Sequence, residues 1–245
     1  MPDKFTRRIF YSEVLGAKWK IFSILSIIVL TGSLLSGTLI QAAYADSVTY
    51  NPHSNVKGLT YGEWSAKWWQ WAISLPKHGN PISDPTGKHC ADGQSGPVWY
   101  LAGTFGSKPI TRECTVPHDK VLMLPVVNAI CWEDRQTKTE AEVRAVCKDL
   151  IDHTTVVDAS VDGVPIDNLQ NYRMQSPLFD IKAPDHNILR VKALDTQGIT
   201  DGYWVMLKPL KMGSHQVHFH AILSFPDDGF TAEFDITYNL KIVRS

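Results

Sequence analysis

No N-x-Ser/Thr sequon occurs in this sequence, and none of its four cysteines forms a C-x-x-C pair. The first absence removes N-glycosylation, and the second removes the spacing shared by zinc ribbons and thioredoxin-like redox sites. Positive charge is also scarce: beyond residue 45 there are 19 Lys/Arg against 23 Asp/Glu, a net charge of −4. Nucleic-acid recognition needs a basic face, so that class of partner is excluded, and nothing favours anionic lipid. Complete catalytic motifs are missing too. Gly93-Gln94-Ser95-Gly96 is followed by Pro97 where a nucleophile elbow needs glycine. Ser83-Asp84-Pro85-Thr86-Gly87 interrupts the Asp-Thr-Gly of aspartic proteases with a proline, and no second copy supplies the partner carboxylate. Both stretches read as turns.

One long apolar run is present. Arg7, Arg8, Lys18 and Lys20 precede Ile21–Ile40, and Ala43-Tyr44-Ala45 follows as a small-x-small boundary before Asp46. A positive leader, an apolar stretch and an A-x-A site are the parts of a secretory signal peptide, so residues 1–45 are expected to be removed. The run is 20 residues long, enough to cross a bilayer, and the alternative is an uncleaved anchor over residues 21–40. Either way the chain from residue 46 is expected outside the cytoplasmic membrane, secreted or periplasmic, with membrane contact only through a retained N-terminal segment. Residues 46–245 suit a single disulfide-stabilised, mostly β domain. Cys90, Cys114, Cys131 and Cys147 all fall in it, and four cysteines allow three pairings. Cys90–Cys114 and Cys131–Cys147 are favoured because each pair brackets one local supersecondary unit. Zinc is the competing use of these cysteines.

Thr60-x-x-Glu63 has capping-box spacing, and Tyr61, Trp64, Trp68, Trp71 and Leu75 follow at helical intervals until Pro76. This predicts a Trp-rich helix. Trp69, turned about 100° from Trp68, is its expected exposed member. A second helix is predicted over 138–153, with Thr137-x-x-Glu140 as capping box, Val143, Val146, Cys147, Leu150 and Ile151 buried, and Glu140 paired with Arg144. Val98–Leu101 and Lys120–Val127 read as buried strands. Val156–Ile166 contains Asp162-Gly163, a hairpin signal. Further strands are predicted at 178–182, 188–194, 203–207, 216–223 and 230–243, the last two alternating as a closing hairpin. The fold class is mainly β (α+β), an antiparallel, immunoglobulin-like β-sandwich carrying the two helices.

Three blocks carry a resemblance: Tyr61-Gly-Glu-Trp-Ser-Ala-Lys-Trp-Trp-Gln-Trp71, Gly96-Pro-Val-Trp-Tyr-Leu-Ala-Gly103, and Asp201-Gly-Tyr-Trp-Val-Met-Leu207 with Gly213-Ser-His215. They resemble an uncharacterised family of exported prokaryotic proteins. That family implies export and brings no activity or site residues. Asp201–Val243 separately resembles the last strands of immunoglobulin-like sandwiches in bacterial surface proteins, which implies a fold and not a function.

His215-Gln-Val-His218-Phe-His220 is the sharpest local feature. On a strand, His218 and His220 share one face, about 7 Å apart along the chain, with His215 on the other. Such a pair suits zinc or copper given a third ligand, for which His118 and Asp201 are candidates. The bland reading is a polar sheet face. Stacked tryptophans bind sugars, lie at a membrane interface or pack a core, and Trp69 and Trp132 are the candidate ligand-binding members. Glu63 is explained by its capping box, and Arg173 is a candidate to anchor a carboxylate within the fold. No cofactor is otherwise expected. The leading expectation is a non-catalytic binding or structural module of the envelope or extracellular space, whose partner is an extracytoplasmic protein or a glycan. A glycan-binding module built on exposed tryptophan and a zinc or copper protein built on His218 and His220 are the alternatives.

Overall fold

The computed structural model describes residues 48–134, 137 and 139–245. The signal segment 1–45 and the alternative anchor 21–40 lie outside these described residues. Thr60 opens helix α1 (Tyr61–Ser74), and the capping box forms: the Thr60 side chain accepts from Glu63 N at 3.2 Å and Glu63 Oε2 accepts from Thr60 N at 2.8 Å. Leu75, extended ahead of Pro76, ends the helix. Only Glu63, Lys67, Gln70 and Ser74 interrupt the burial of α1. Its four indoles each donate to a different part of the chain: Trp64 to Val56 O, Trp68 to Leu101 O, Trp69 to Thr200 Oγ1 and Trp71 to Asp92 O. A buried indole needs such a partner, and here the partners fix the helix to the loops on either side of it.

Helix α2 (Glu140–Asp152) starts two residues later than its first Thr-x-x-Glu predicts, with Thr139 and Glu142 as the box. Thr137 is already committed, because its N–H donates to Asp134 Oδ1 at 2.8 Å and its carbonyl accepts from Asp134 N at 2.9 Å. Val143, Cys147 and Ile151 are its buried face, and Arg144 pairs with Glu140 at 2.7 Å. Both favoured disulfides are formed, Cys90–Cys114 and Cys131–Cys147. Disulfides persist in oxidising compartments, so the protein belongs outside the cytoplasm. Among the described residues no helix is long and apolar enough to cross a membrane.

Among the described residues, ten strands make two sheets. In the first, β3 (Val121–Trp132) lies between β1 (Val98–Tyr100) and β8 (Leu194–Leu207). The far edge of β8 is shared by β7 (Phe179–Ala183), β6 (Arg173–Gln175) and a bridge from Thr49. The second sheet runs β2 (Ile110–Pro117), β10 (Phe230–Val243), β9 (Gly213–Phe225), β4 (Thr154–Val161), β5 (Val164–Pro165). The described residues are thus mainly β with two α-helices, a sandwich-like α+β fold, and their buried apolar side chains form one cluster.

Several expectations are corrected. The sheets are not purely antiparallel: β1 runs parallel to β3, and β2 runs parallel to β10. The predicted strand at 188–194 is a turn, with Ile188 and Leu189 buried and Arg190 at φ 57°. Nor does Gln197-Gly198 break the chain. Gly198 sits inside β8, where a Cβ would meet Cys131 O at 2.3 Å and Ile181 Cδ1 at 2.6 Å, so this glycine serves close packing rather than a turn. Asp162-Gly163 does turn the β4–β5 hairpin, both residues at positive φ.

The most buried cation of the described residues sits on β2. Arg112, 1% exposed, points into the sandwich. Its Nε donates to Asp84 O at 2.7 Å; Nη1 donates to Ala102 O, Gly103 O and Tyr238 Oη; Nη2 donates to Ile82 O at 3.2 Å. Tyr238, its neighbour across the β2–β10 register, also receives Ala102 N–H and returns a bond to Ala102 O. The Asp84 carboxylate turns the other way and accepts from Thr86 N, Thr86 Oγ1 and His89 N. Desolvation pushes the Asp84 carboxyl up, but these bonds and the charge of Arg112 outweigh it and hold it below the usual carboxylate range. A group with a depressed folded-state pKa stabilises above its unfolded value, and that contribution is lost as pH falls through the folded one. Urea unfolding should therefore show wild-type stability declining below about pH 4. Asp84→Asn should cost about 2 kcal/mol at pH 7 and show a shallower acid limb; equal acid limbs would contradict this role for Asp84.

Candidate functional site

Strands β9 and β10 alternate strictly. Val217, Phe219, Ala221 and Leu223 face the core with Phe234, Ile236, Tyr238 and Leu240, leaving Gln216, His218 and His220 on the outer face with Asp235, Thr237 and Asn239. His218 and His220 therefore do share a face, as the period of two requires. Each leans along the sheet to a carboxylate diagonally opposite: His218 Nε2 lies 2.9 Å from Asp235 Oδ1 and His220 Nε2 lies 3.0 Å from Glu233 Oε1. His220 Nδ1 is also 3.8 Å from Asp158 Oδ2 on β4.

These contacts bear on zinc or copper. Among the described residues no three His, Cys, Asp or Glu side chains converge as metal ligands. His118 bonds through its backbone to Val243 at the sheet end. Asp201 is 2% exposed and tied to Arg173 in the other sheet. His215 lies at the end of β9, between Asp162 Oδ2 at 2.7 Å and Lys211 O at 2.9 Å. The pair is a polar sheet face whose imidazoles are matched to carboxylates, and the third ligand expected from His118 or Asp201 does not reach it.

Trp69 is not exposed. It is buried, its indole edge-on to Trp68 with ring centres 5.1 Å apart and its N–H on Thr200 at 3.1 Å. The rotation that separates it from Trp68 turns it toward β8 instead of toward solvent. Trp132 is half-buried against the core at the end of β3. Trp69 therefore offers no open ring face for stacking on a sugar. Arg173 does anchor a carboxylate, with Nε and Nη2 on the two oxygens of Asp201 at 3.1 and 3.2 Å and Nη1 on Asp152 at 2.6 Å. Burial would lower its pKa, and the two carboxylates override that and raise it. Ser83–Gly87 and Gly93–Gly96 are turns, the second held by Gln94, which accepts from Tyr100 N and donates to Tyr100 O and Cys90 O.

The outer face of the second sheet holds a groove of about 630 Å³. Along its floor, Gln216 Nε2 donates to Asn239 Oδ1 at 3.2 Å, and Asn239 Nδ2 donates to Glu113 Oε1 at 2.7 Å. Gln216 N donates to Asp162 Oδ1 at 2.8 Å at the other end of the row. The side chains follow the strand register, Gln216 opposite Asn239 and Asn239 opposite Glu113. Thr115, Ser214 and Lys241 also line it. Gln216 and Asn239 share the outward parity of His218 in the predicted hairpin, so alternation alone points to them. Glu113 carries no such signal, because it arrives through the parallel pairing of β2 with β10, 126 residues apart. What remains is a fixed array of amides, hydroxyls and two carboxylates, Asp162 and Glu113, open to solvent and suited to hydrogen-bonded recognition.

Comparison with protein-family models, with curated proteins and with solved structures finds no match.

Trp69 acts here as a core residue. Trp69→Phe removes the bond to Thr200 and part of the packing, so denaturant unfolding should show a loss of roughly 1–3 kcal/mol. An unchanged midpoint would return Trp69 to the surface.

Proposed function

We propose that this is an exported, non-catalytic binding module that engages an extracytoplasmic partner through the outer face of its second sheet. The observation that carries this reading is the preformed row Asp162–Gln216–Asn239–Glu113, laid flat along a groove of about 630 Å³. Side chains already held by one another lose less conformational freedom when a ligand arrives, so such a row favours recognition over mere solvation. The two disulfides support an oxidising, extracytoplasmic setting. The leader and Ala43-Tyr44-Ala45 support release by signal cleavage into the periplasm or beyond, in preference to retention by residues 21–40.

In-cell photo-cross-linking tests the location of the surface. A photoreactive residue at Thr115, exposed in the groove, should give discrete adducts in the producing organism. The same group at Lys182, exposed on β7 of the other sheet, should not. Adducts that are absent at Thr115, or equal at both positions, would sink the assignment.

A further inference from the structure

The chemistry of the groove narrows its ligand, and this step rests on the surface assignment just made. We infer that the groove takes a neutral saccharide chain, held by hydrogen bonds rather than by aromatic stacking.

Charge excludes other classes first. Lys241 is the one cation facing outward from β2, β4, β9 and β10. A phosphorylated, sulfated or otherwise anionic chain would meet the carboxylates of Glu113 and Asp162 in the groove, with Lys241 as the one Lys/Arg side chain there to offset them. A cationic chain would have to compete for the groove's own carboxylates: Asp162 already accepts from Gln216 N and lies 2.7 Å from His215 Nδ1, Glu113 already accepts from Asn239, and Lys241 stands on the same face. Apolar recognition is excluded by what the surface lacks: Met212 is the one large hydrophobic residue exposed among those described.

A neutral ligand rich in groups that both donate and accept fits what remains. Thr115, Ser214 and Lys241 make no side-chain hydrogen bond to another described residue, so two hydroxyls and an ammonium stand ready. Gln216 uses its Nε2 on Asn239, which leaves Oε1 as an acceptor, and Glu113 uses one carboxylate oxygen and leaves the other. A planar amide or carboxylate presents two polar atoms side by side, the arrangement that meets adjacent hydroxyls of a pyranose ring. The row crosses β9, β10 and β2, a width of roughly 10 Å, and the groove is open rather than a closed cavity. That shape suits a segment of a chain better than a single small molecule. Without stacking, affinity per sugar is modest, about 1 mM or somewhat tighter.

The test is an NMR titration of the ¹⁵N-labelled, disulfide-bonded protein with chitohexaose and, separately, maltohexaose. These arms distinguish an N-acetylhexosamine chain from a plain hexose chain. The expected result is a saturable shift of the Gln216 and Asn239 side-chain amide signals with at least one sugar. Asn239→Ala and Gln216→Leu should each weaken binding about fivefold or more, while Lys182→Ala leaves it unchanged. No saturable shift with either sugar at about 10 mM overturns the inference, as does binding that survives both groove substitutions. If the sugars fail while Thr115 still cross-links, the surface assignment stands and the ligand is a protein. If both fail, both readings fall.

Discussion

A guanidinium taken out of water is tolerable only when its donors find oxygens, because desolvating an ion costs several kcal/mol. Arg112 meets that condition without a carboxylate against it. Four backbone carbonyls, those of Asp84, Ile82, Ala102 and Gly103, and the hydroxyl of Tyr238 surround it. Hydrogen bonds to a charged group each contribute about 1.5–3 kcal/mol, so the full set offsets the burial and a partial set does not. The consequence is geometric. The loop after α1, the segment that leaves β1, and strands β2 and β10 must all be in place together. Lysine could not substitute, since its single ammonium cannot span that fan of acceptors.

This constraint reaches the outer surface through β2. The strand lies at the edge of its sheet, and Thr86 O accepts from Glu113 N at 2.9 Å, so the loop organised by Asp84 covers that edge. Gly87 lies so close that a Cβ there would meet Glu113 O at 2.1 Å. Cys90–Cys114 fastens the same loop to the same strand. An edge strand covered in this way is shielded from pairing with other chains, and its outward side chains are held in register. Glu113 points out between two inward residues, Arg112 and Cys114, and delivers its carboxylate to Asn239. The burial of an arginine on one side of β2 thus fixes the groove on the other.

Much of the frame is legible in the sequence, because local chemistry determines it. Thr60 and Glu63 cap a helix whatever lies around them, Asp162-Gly163 turns a hairpin, and Val217 to Leu223 alternate as a half-buried strand must. Each disulfide closes over one local unit, so spacing favoured the right pairs. What stayed hidden depends on distant partners. Gly198 has the composition of a turn and the position of a close contact between β3, β7 and β8. Ile110–Pro117 alternates weakly, and a charged residue at one of its inward positions argues against a strand until the acceptors for Arg112 are known. Trp69 looked exposed because a lone amphipathic helix has an outer face, whereas α1 is covered on nearly all sides. For the candidate site, the hairpin half was readable and the β2 half was not.

Hydrogen exchange in Arg112→Met, compared with wild type, tests the clamp most directly. The account predicts that protection falls at Ala102 N–H, Asp84 N–H and Glu113 N–H, the amides bonded to Tyr238, Asn80 and Thr86. Amides along the β7–β8 ladder, which makes no bond to the substituted side chain, should keep theirs. Unchanged protection at all three positions would contradict the claim that one buried guanidinium holds the loop, the first sheet and the edge of the second together.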